Sequence, residues 1–262
     1  MKIGIITIQK CDNFGADLQA YGLQKKLQLL GYDAENIDYL FYKNSRHQKR
    51  TGEKPIFRLS LVNRLKEKIF PVVVGLRNLR HWGKMKKRRA RFEAWFKAHV
   101  RCGREYRSVR SLYEDVPRYD VYMVGSDQVW NPRMGSNILP YFLDFAPQGT
   151  RKVSYAASFG VASLATPVFL KYRELLSEFS HIGVREARGV ELIARMKLGA
   201  EVRQVLDPTL LLTAEEWAQV ASEPAVRPSG DYLLLYDLIA SPETVEMARR
   251  LAAKGGGLEW CV

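Results

Sequence analysis

Short apolar runs alternate along the chain with stretches in which apolar residues recur every three or four positions. The first run, KIGIITI at 2–8, predicts a buried strand. One face of a helix is predicted next, at Ala16, Ala20, Leu23, Leu27 and Leu30. Gly31 predicts the C-terminal cap of that helix, and a second strand is predicted at 33–40. The chain therefore opens with a βαβ unit.

The same alternation continues after a long interruption. Further strands are predicted at 119–124, 151–158, 181–187 and 202–208, with helical patterns between them. Such alternation predicts the α/β class, with a mostly parallel, doubly wound, Rossmann-like sheet over residues 1–221. Residues 222–230, rich in Pro, Ser and Gly, predict a linker. Residues 231–262 then predict the incomplete start of a second domain, with a strand at 231–238.

Positive charge is concentrated in the interruption. Residues 42–110 hold 22 of the 41 Lys and Arg residues and 4 of the 28 acidic residues, so the rest of the chain has a net charge of −5. The segment is predicted to be a basic helical insertion on the flank of the sheet. Its packing face is predicted from helical spacing, at Phe92, Trp95, Phe96 and His99.

The basic side chains of this segment have three interpretations. A solvated outer face, away from the ligand pocket and including Lys84 to Arg91, is the first. Docking on an anionic membrane or polymer is the second. Nucleic-acid binding is the least favoured, because the chain has no zinc-finger, basic-zipper or RNA-motif signature.

Other sequence features narrow the cellular setting and the chemistry. The start of the chain lacks a signal-peptide pattern, and no apolar run is long enough to span a bilayer. Three widely spaced cysteines suggest a reducing compartment, so we expect a cytoplasmic protein. Neither a metal-binding pattern nor a Walker sequence occurs, and no metal is expected. Nothing near Cys11 in the sequence would activate it as a nucleophile.

Polar residues follow the predicted strands at their C-terminal ends, where open parallel sheets bind ligands. The most informative are Asn13, Gly15, Ser126, Asp127, Gln128, Asn131, Ser158, Arg185 and Glu186, with Asp207 after the last strand. Each has a simpler explanation, since Asn13 would cap a helix and Arg185 and Glu186 would form a surface pair. Their recurrence at one end of successive strands favours a site. A helix N-terminus with an arginine suits phosphate or carboxylate.

Several blocks, in this order, resemble the polysaccharide pyruvyl transferase family. They are the opening residues 1–40, then YDVYMVGSDQVWNP, YFLDFAP, KVSYAASFG, VREARGVELI and VLDPTLLL. Together they cover residues 1–40 and 119 to about 236, and the ordered set is highly specific. One position departs from the family pattern: Asp17 stands where related sequences more often carry a small or aliphatic residue.

The resemblance implies transfer of pyruvate from phosphoenolpyruvate to two sugar hydroxyls as a ketal, in the synthesis of cell-surface polysaccharide. It also implies two Rossmann-like domains facing each other, as in GT-B glycosyltransferases, and no cofactor beyond the donor. By motif match, Arg185 would contact the donor anion, and Asp127 and Glu186 would be acid/base or orienting groups. The loops at Asn13–Gly15 and Ser126–Asn131, with Ser158, would shape the substrate cleft.

The implied acceptor is a sugar or a lipid-linked oligosaccharide, and the implied location is the cytoplasm or the inner face of the membrane. Because residues 231–262 cannot form a whole domain, we expect this chain alone to be inactive. Two other functions stay open at this stage. One is a GT-B glycosyltransferase that uses a nucleotide sugar, and the other is a non-catalytic basic protein that binds polyanions.

Overall fold

A computed structural model describes residues 1–41, 44, 46–48, 82–134, 138–223, 231–235, 241–254 and 259–261. The chain divides into two compact units, Met1–Trp217 and Ala218–Val262. Two predicted segments lie mostly outside the described residues. They are the part of the basic insertion at 42–81 and the linker at 222–230. The predicted domain boundaries stay a prediction.

The first unit is built on a seven-stranded sheet in which every described pair of neighbouring strands is parallel. Its strands are β1 Lys2–Ile6, β2 Asp33–Tyr39, β3 Cys102–Tyr106, β4 Val121–Val124, β5 Arg151–Ala157, β6 Phe179–Val184 and β7 Glu201–Gln204. Their order is β3-β2-β1-β4-β5-β6-β7. This is the strand order of the Rossmann fold, extended by one strand.

Helices cover both faces of this sheet. They are α1 Phe14–Leu29, α2 Trp82–His99, α3 Val109–Glu114, α4 Thr166–Leu176, α5 Ala187–Met196 and α6 Ala214–Ala218. Leu23 and Leu27 of α1 pack on one face, in a cluster with Ile3 and Ile5 of β1. The larger core on the other face includes residues of α3, α4 and α5. The Rossmann-like, doubly wound sheet predicted from the sequence is confirmed.

Both ends of α1 follow from the local sequence. Asn13 is the N-cap, and its Oδ1 accepts the Ala16 N–H at 3.1 Å. At the other end the N–H groups of Gly31 and Tyr32 donate to the carbonyls of Gln28 and Leu27, which is a Schellman motif. The predicted cap at Gly31 is confirmed. The prediction that Leu30 lies on the buried face is wrong, because Leu30 follows the last helical turn and is 63% exposed.

The prediction that residues 42–110 form a helical insertion outside the sheet is wrong at the C-terminal end of the segment. Residues 102–106 form β3, the edge strand of the main sheet, paired with β2. The sequence CGREY is short and polar, and only Tyr106 of the strand is buried. It therefore lacks the apolar run by which the other strands were predicted. Helix α2 together with β3 continues the βαβ pattern.

Helix α2 packs by the face predicted for it. Phe96 is buried, Phe92 lies against Phe14 with ring centroids 4.7 Å apart, and Trp95 lies edge-on to Tyr21. The basic residues of α2 are exposed, as predicted. The prediction that these basic residues lie wholly away from the polar loops at the strand ends is not met, because two of them contact Asp12. Arg89 Nε pairs with Asp12 Oδ2 at 2.9 Å, and Arg88 Nη2 donates to the Asp12 carbonyl at 3.3 Å.

The second unit contains a parallel pair of strands, β8 Tyr232–Leu234 and β9 Glu259–Cys261, with helix α7 Pro242–Lys254 between them. The strand predicted at 231–238 is thus observed over three residues, 232–234, and residues 236–240 lie outside the described part. Across all described residues, none of the helices combines the length and apolar character that crossing a membrane requires.

Candidate functional site

The strand order places the candidate site between β1 and β4. Crossovers leave the sheet in opposite directions from these two neighbouring strands, so their C-terminal ends form the switch point at which open α/β sheets bind ligands. Residues 7–13 follow β1 and are called the β1 loop here. Residues 125–131 follow β4 and are called the β4 loop.

The β1 loop leads directly into α1. Asn13 and Gly15 are exposed, and they lie at the helix end where the first backbone N–H groups have no carbonyl partner in the preceding turn. Lys10 and Asp12 have φ values of 54° and 56°, so the loop turns sharply before the helix begins. Asn13 therefore serves as the N-cap, which is the simpler of its two predicted roles. The N-terminal end of a helix also suits an anion.

Cys11, between these two residues, is not an activated thiol. Burial raises the pKa of the Cys11 thiol to about 12, and the nearby negative charges of Asp17, Asp127 and Asp12 act in the same direction. The thiol therefore stays protonated at neutral pH, which disfavours a nucleophilic role.

A buried hydrogen-bond network joins the two loops. Gln19 of α1 accepts the Ser126 N–H at 3.0 Å through Oε1, and its Nε2 donates to Thr7 Oγ1 at 2.9 Å. Thr7 Oγ1 donates in turn to the Ser126 carbonyl at 3.0 Å. All three side chains are buried, so Ser126 is held through both its N–H and its carbonyl.

Asp127 is the acidic residue of the β4 loop. Its Oδ1 accepts the Gln128 N–H at 2.8 Å, and its backbone bridges to Ala157 of β5. Burial raises the pKa of Asp127 above its usual value, and the Gln128 hydrogen bond and the Arg185 charge oppose that rise. A carboxyl group in such surroundings holds its proton more tightly than a solvated one.

The remaining predicted residues of this region have structural partners. Asn131 Nδ2 donates to Gln128 Oε1 at 2.6 Å, and Ser158 Oγ accepts the Gly160 N–H at 3.1 Å. Trp130 is fully buried and donates from Nε1 to the Tyr141 carbonyl at 2.9 Å, so it anchors the β4 loop in the core. Gln128, Asn131 and Ser158 thus shape the loops, and any contact with substrate stays a prediction.

Arg185 is held at the end of β6 by two carboxylates. Its Nε donates to Glu186 Oε1 at 2.9 Å, and Nη1 donates to Asp207 Oδ2 at 3.0 Å. The same Asp207 oxygen accepts Ser126 Oγ at 3.3 Å, which links Arg185 to the β4 loop. Burial alone would raise the pKa of Asp207, but hydrogen bonds from Thr209 and Arg185 hold it below its usual value. The ion pair is therefore formed at neutral pH.

Asp17 is a buried carboxyl group beneath the β1 loop. It is 2% exposed, and its Oδ1 accepts the Lys10 N–H at 3.2 Å. Among the described residues Oδ2 has no hydrogen-bond partner. Burial raises the pKa of Asp17 to about 6, the charge of Asp12 adds to this effect, and the Lys10 contacts oppose it.

The structure joins Ser126, Asp127, Arg185 and Glu186 into one charged cluster and adds residues that were not predicted as site residues. Asp207 stood at a strand end in the sequence but was not assigned a role. Gln19 and Thr7 lay within a helix pattern and an apolar run, where no sequence signal marked them. Asn13 and Gly15 lie at the same edge of the sheet, on the β1 loop and the start of α1.

The parallel sheet has Rossmann order and carries a charged cluster at its C-terminal edge, which makes this an α/β protein of the Rossmann-like class. The family model for polysaccharide pyruvyl transferase matches residues 13–260, nearly the whole chain, so the protein belongs to that family. Comparisons with curated proteins and with solved structures gave no match. The family resemblance of the sequence is confirmed.

Proposed function

We propose that the protein takes part in transfer of pyruvate from phosphoenolpyruvate to a sugar or lipid-linked oligosaccharide, in the synthesis of cell-surface polysaccharide. The observation that carries this proposal is the cluster of Arg185, Asp127, Glu186 and Asp207 at the C-terminal edge of the sheet, joined to the β4 loop through Ser126, in a chain of this family. The proposed architecture is GT-B-like, with the second unit as part of a second Rossmann-like domain. The proposed location is the cytoplasm, at the inner face of the membrane.

The donor is a small polyanion, and two features suit it. Arg185 uses Nε and one Nη1 hydrogen for its carboxylate partners, which leaves other guanidinium N–H groups for a phosphate or carboxylate. The exposed start of α1, at Asn13 and Gly15, offers backbone N–H groups to the second anionic group. The proposal requires no cofactor besides the donor.

The reaction needs one proton donor and one proton acceptor. A proton adds to the vinyl CH₂ of phosphoenolpyruvate and converts it to a methyl group, and a sugar hydroxyl attacks the electron-poor carbon as it loses its own proton. Phosphate then leaves with the second hydroxyl proton as that hydroxyl closes the ketal. Asp127, whose pKa is raised by burial, is the proposed acid, and Glu186 is the proposed base or orienting group.

Calorimetric titration of the chain with phosphoenolpyruvate tests the donor assignment. Arg185→Lys should weaken binding by about tenfold to a hundredfold, because a lysine cannot reproduce the fork geometry of the guanidinium. Arg188→Lys is the matched control, since Arg188 is an exposed arginine three residues later that pairs with Glu191. We expect the control to keep wild-type affinity.

Two results would contradict the proposal. Equal donor affinity in the wild type and in Arg185→Lys would remove Arg185 from the donor site. Binding of a uridine-diphosphate sugar, with no heat from phosphoenolpyruvate, would instead support a nucleotide-sugar glycosyltransferase.

A further inference from the structure

The N-terminal half of α2 presents a dense positive surface. Helix α2 contains seven Lys and Arg residues and a single acidic residue, Glu93. The six basic residues in this half are all exposed, and they are called the α2 basic surface here: Lys84, Lys86, Lys87, Arg88, Arg89 and Arg91. The pairing of β3 with β2 fixes the C-terminal end of the helix beside the sheet.

Three residues of this surface share one side of the helix. Lys84, Lys87 and Arg91 are spaced at i, i+3 and i+7, which brings their side chains to the same side. None of the three forms a hydrogen bond or an ion pair with another residue in the described part of the chain. Their charge is therefore not neutralised by the first unit as described.

The α2 basic surface adjoins the β1 loop. Arg89 pairs with the Asp12 carboxylate at 2.9 Å, and Arg88 lies over the Phe92 ring at 5.5 Å from its centroid. Phe14, at the start of α1, packs against Phe92 yet remains 52% exposed. A half-exposed aromatic residue, Phe14, thus lies beside Phe92 and its covering Arg88, at the edge of the sheet that carries the candidate site.

We propose that the α2 basic surface docks on an anionic lipid membrane. Cations beside an exposed aromatic ring match a bilayer surface, which offers phosphate groups and an apolar layer together. The backbone of a nucleic-acid duplex would satisfy the cations but would offer no apolar layer to the Phe14 ring. This assigns a surface to the peripheral location proposed above, and it brings the β1 loop to the membrane where a lipid-linked acceptor would lie.

Vesicle co-sedimentation tests the proposal without turnover, so its failure leaves the transfer reaction untouched. The full chain is mixed with phosphatidylcholine vesicles that contain either no phosphatidylglycerol or one third of it. We expect binding only to the anionic vesicles, with loss of binding in high salt. The variant Lys84→Gln/Lys87→Gln/Arg91→Gln should bind on the order of a hundredfold more weakly, because each cation near the surface contributes on the order of fivefold.

A matched control removes the same charge from other elements of the first unit. Arg173→Gln/Arg195→Gln/Arg203→Gln takes three exposed cations from α4, α5 and β7, and it should bind as the wild type does. Circular dichroism confirms that both variants are folded. Equal loss in the two triple variants would overturn the proposal, because it would show a general effect of net charge. Binding of duplex DNA or RNA without vesicle binding would also overturn it.

Discussion

The buried carboxyl group of Asp17 makes a direct prediction about stability and pH. Asp17 is almost fully enclosed, and one of its oxygens has no hydrogen-bond partner among the described residues. Its pKa is about 6 in the folded chain against an ordinary value of 3.8. Between these two values the folded chain binds more protons than the unfolded chain, so the wild type loses stability as pH rises.

The size of this loss follows from the two pKa values. A difference of about two pKa units corresponds to about 3 kcal/mol of unfolding free energy, which is present below pH 4 and is lost above pH 6. Asp17→Asn removes the charge and keeps an oxygen to accept the Lys10 N–H. The variant should therefore gain about 3 kcal/mol on the wild type between pH 4 and pH 8.

The unfolding free energies of the wild type and of Asp17→Asn are measured by urea titration at several pH values from 4 to 8, with tryptophan fluorescence as the signal. The difference between wild type and variant isolates Asp17 from other titrating groups, including Asp144, whose pKa is also raised to about 6 by burial. Asp115→Asn is the matched control and should keep the wild-type pH dependence, because Asp115 is an exposed carboxylate paired with Arg104 and does not contribute to the pKa of Asp17. If the difference in unfolding free energy between the wild type and Asp17→Asn did not change with pH, the reasoning would be refuted.

Three further predictions concern the loops. Gln19→Met should lower the unfolding free energy by about 1–3 kcal/mol in urea titrations, because the buried Ser126 N–H loses its acceptor. Gly160→Ala should cost about 1–3 kcal/mol by the same measurement, since φ is +59° and the new Cβ would lie 2.5 Å from Asn131 Nδ2. Cys11, with its pKa raised to about 12, should react with iodoacetamide at pH 7.5 far more slowly than a free thiol, and a matching rate would contradict the assignment.

The sequence predicted most of the sheet because its central strands are apolar runs. β1, β2, β4 and β5 were placed to within about two residues of their observed ends. β3 was missed because an edge strand is exposed and CGREY carries little apolar signal. The strand order was not predicted, because the hydrophobic pattern marks strands and does not specify which of them pair.

The site was predicted in part for a similar reason. Polar residues at strand ends pointed to Ser126, Asp127 and Arg185, since the end of a strand is visible in the sequence. The role of Gln19 was not visible, because a glutamine within a helix pattern resembles any other polar position until the partner loop is placed beside it. The contact of Arg89 with Asp12 likewise joins segments 77 residues apart, and no local pattern encodes it.

The pairing of β1 with β4 has a consequence for how the protein folds. Thr7 and Ser126 are hydrogen-bonded although 119 residues separate them in the chain. Closing so long a loop costs entropy before any contact of the site can form, so these contacts should appear late in folding. A molecule that binds both loops would bind only the completed sheet. Its presence would therefore raise the apparent stability of the whole first unit, in proportion to the logarithm of its concentration above its dissociation constant.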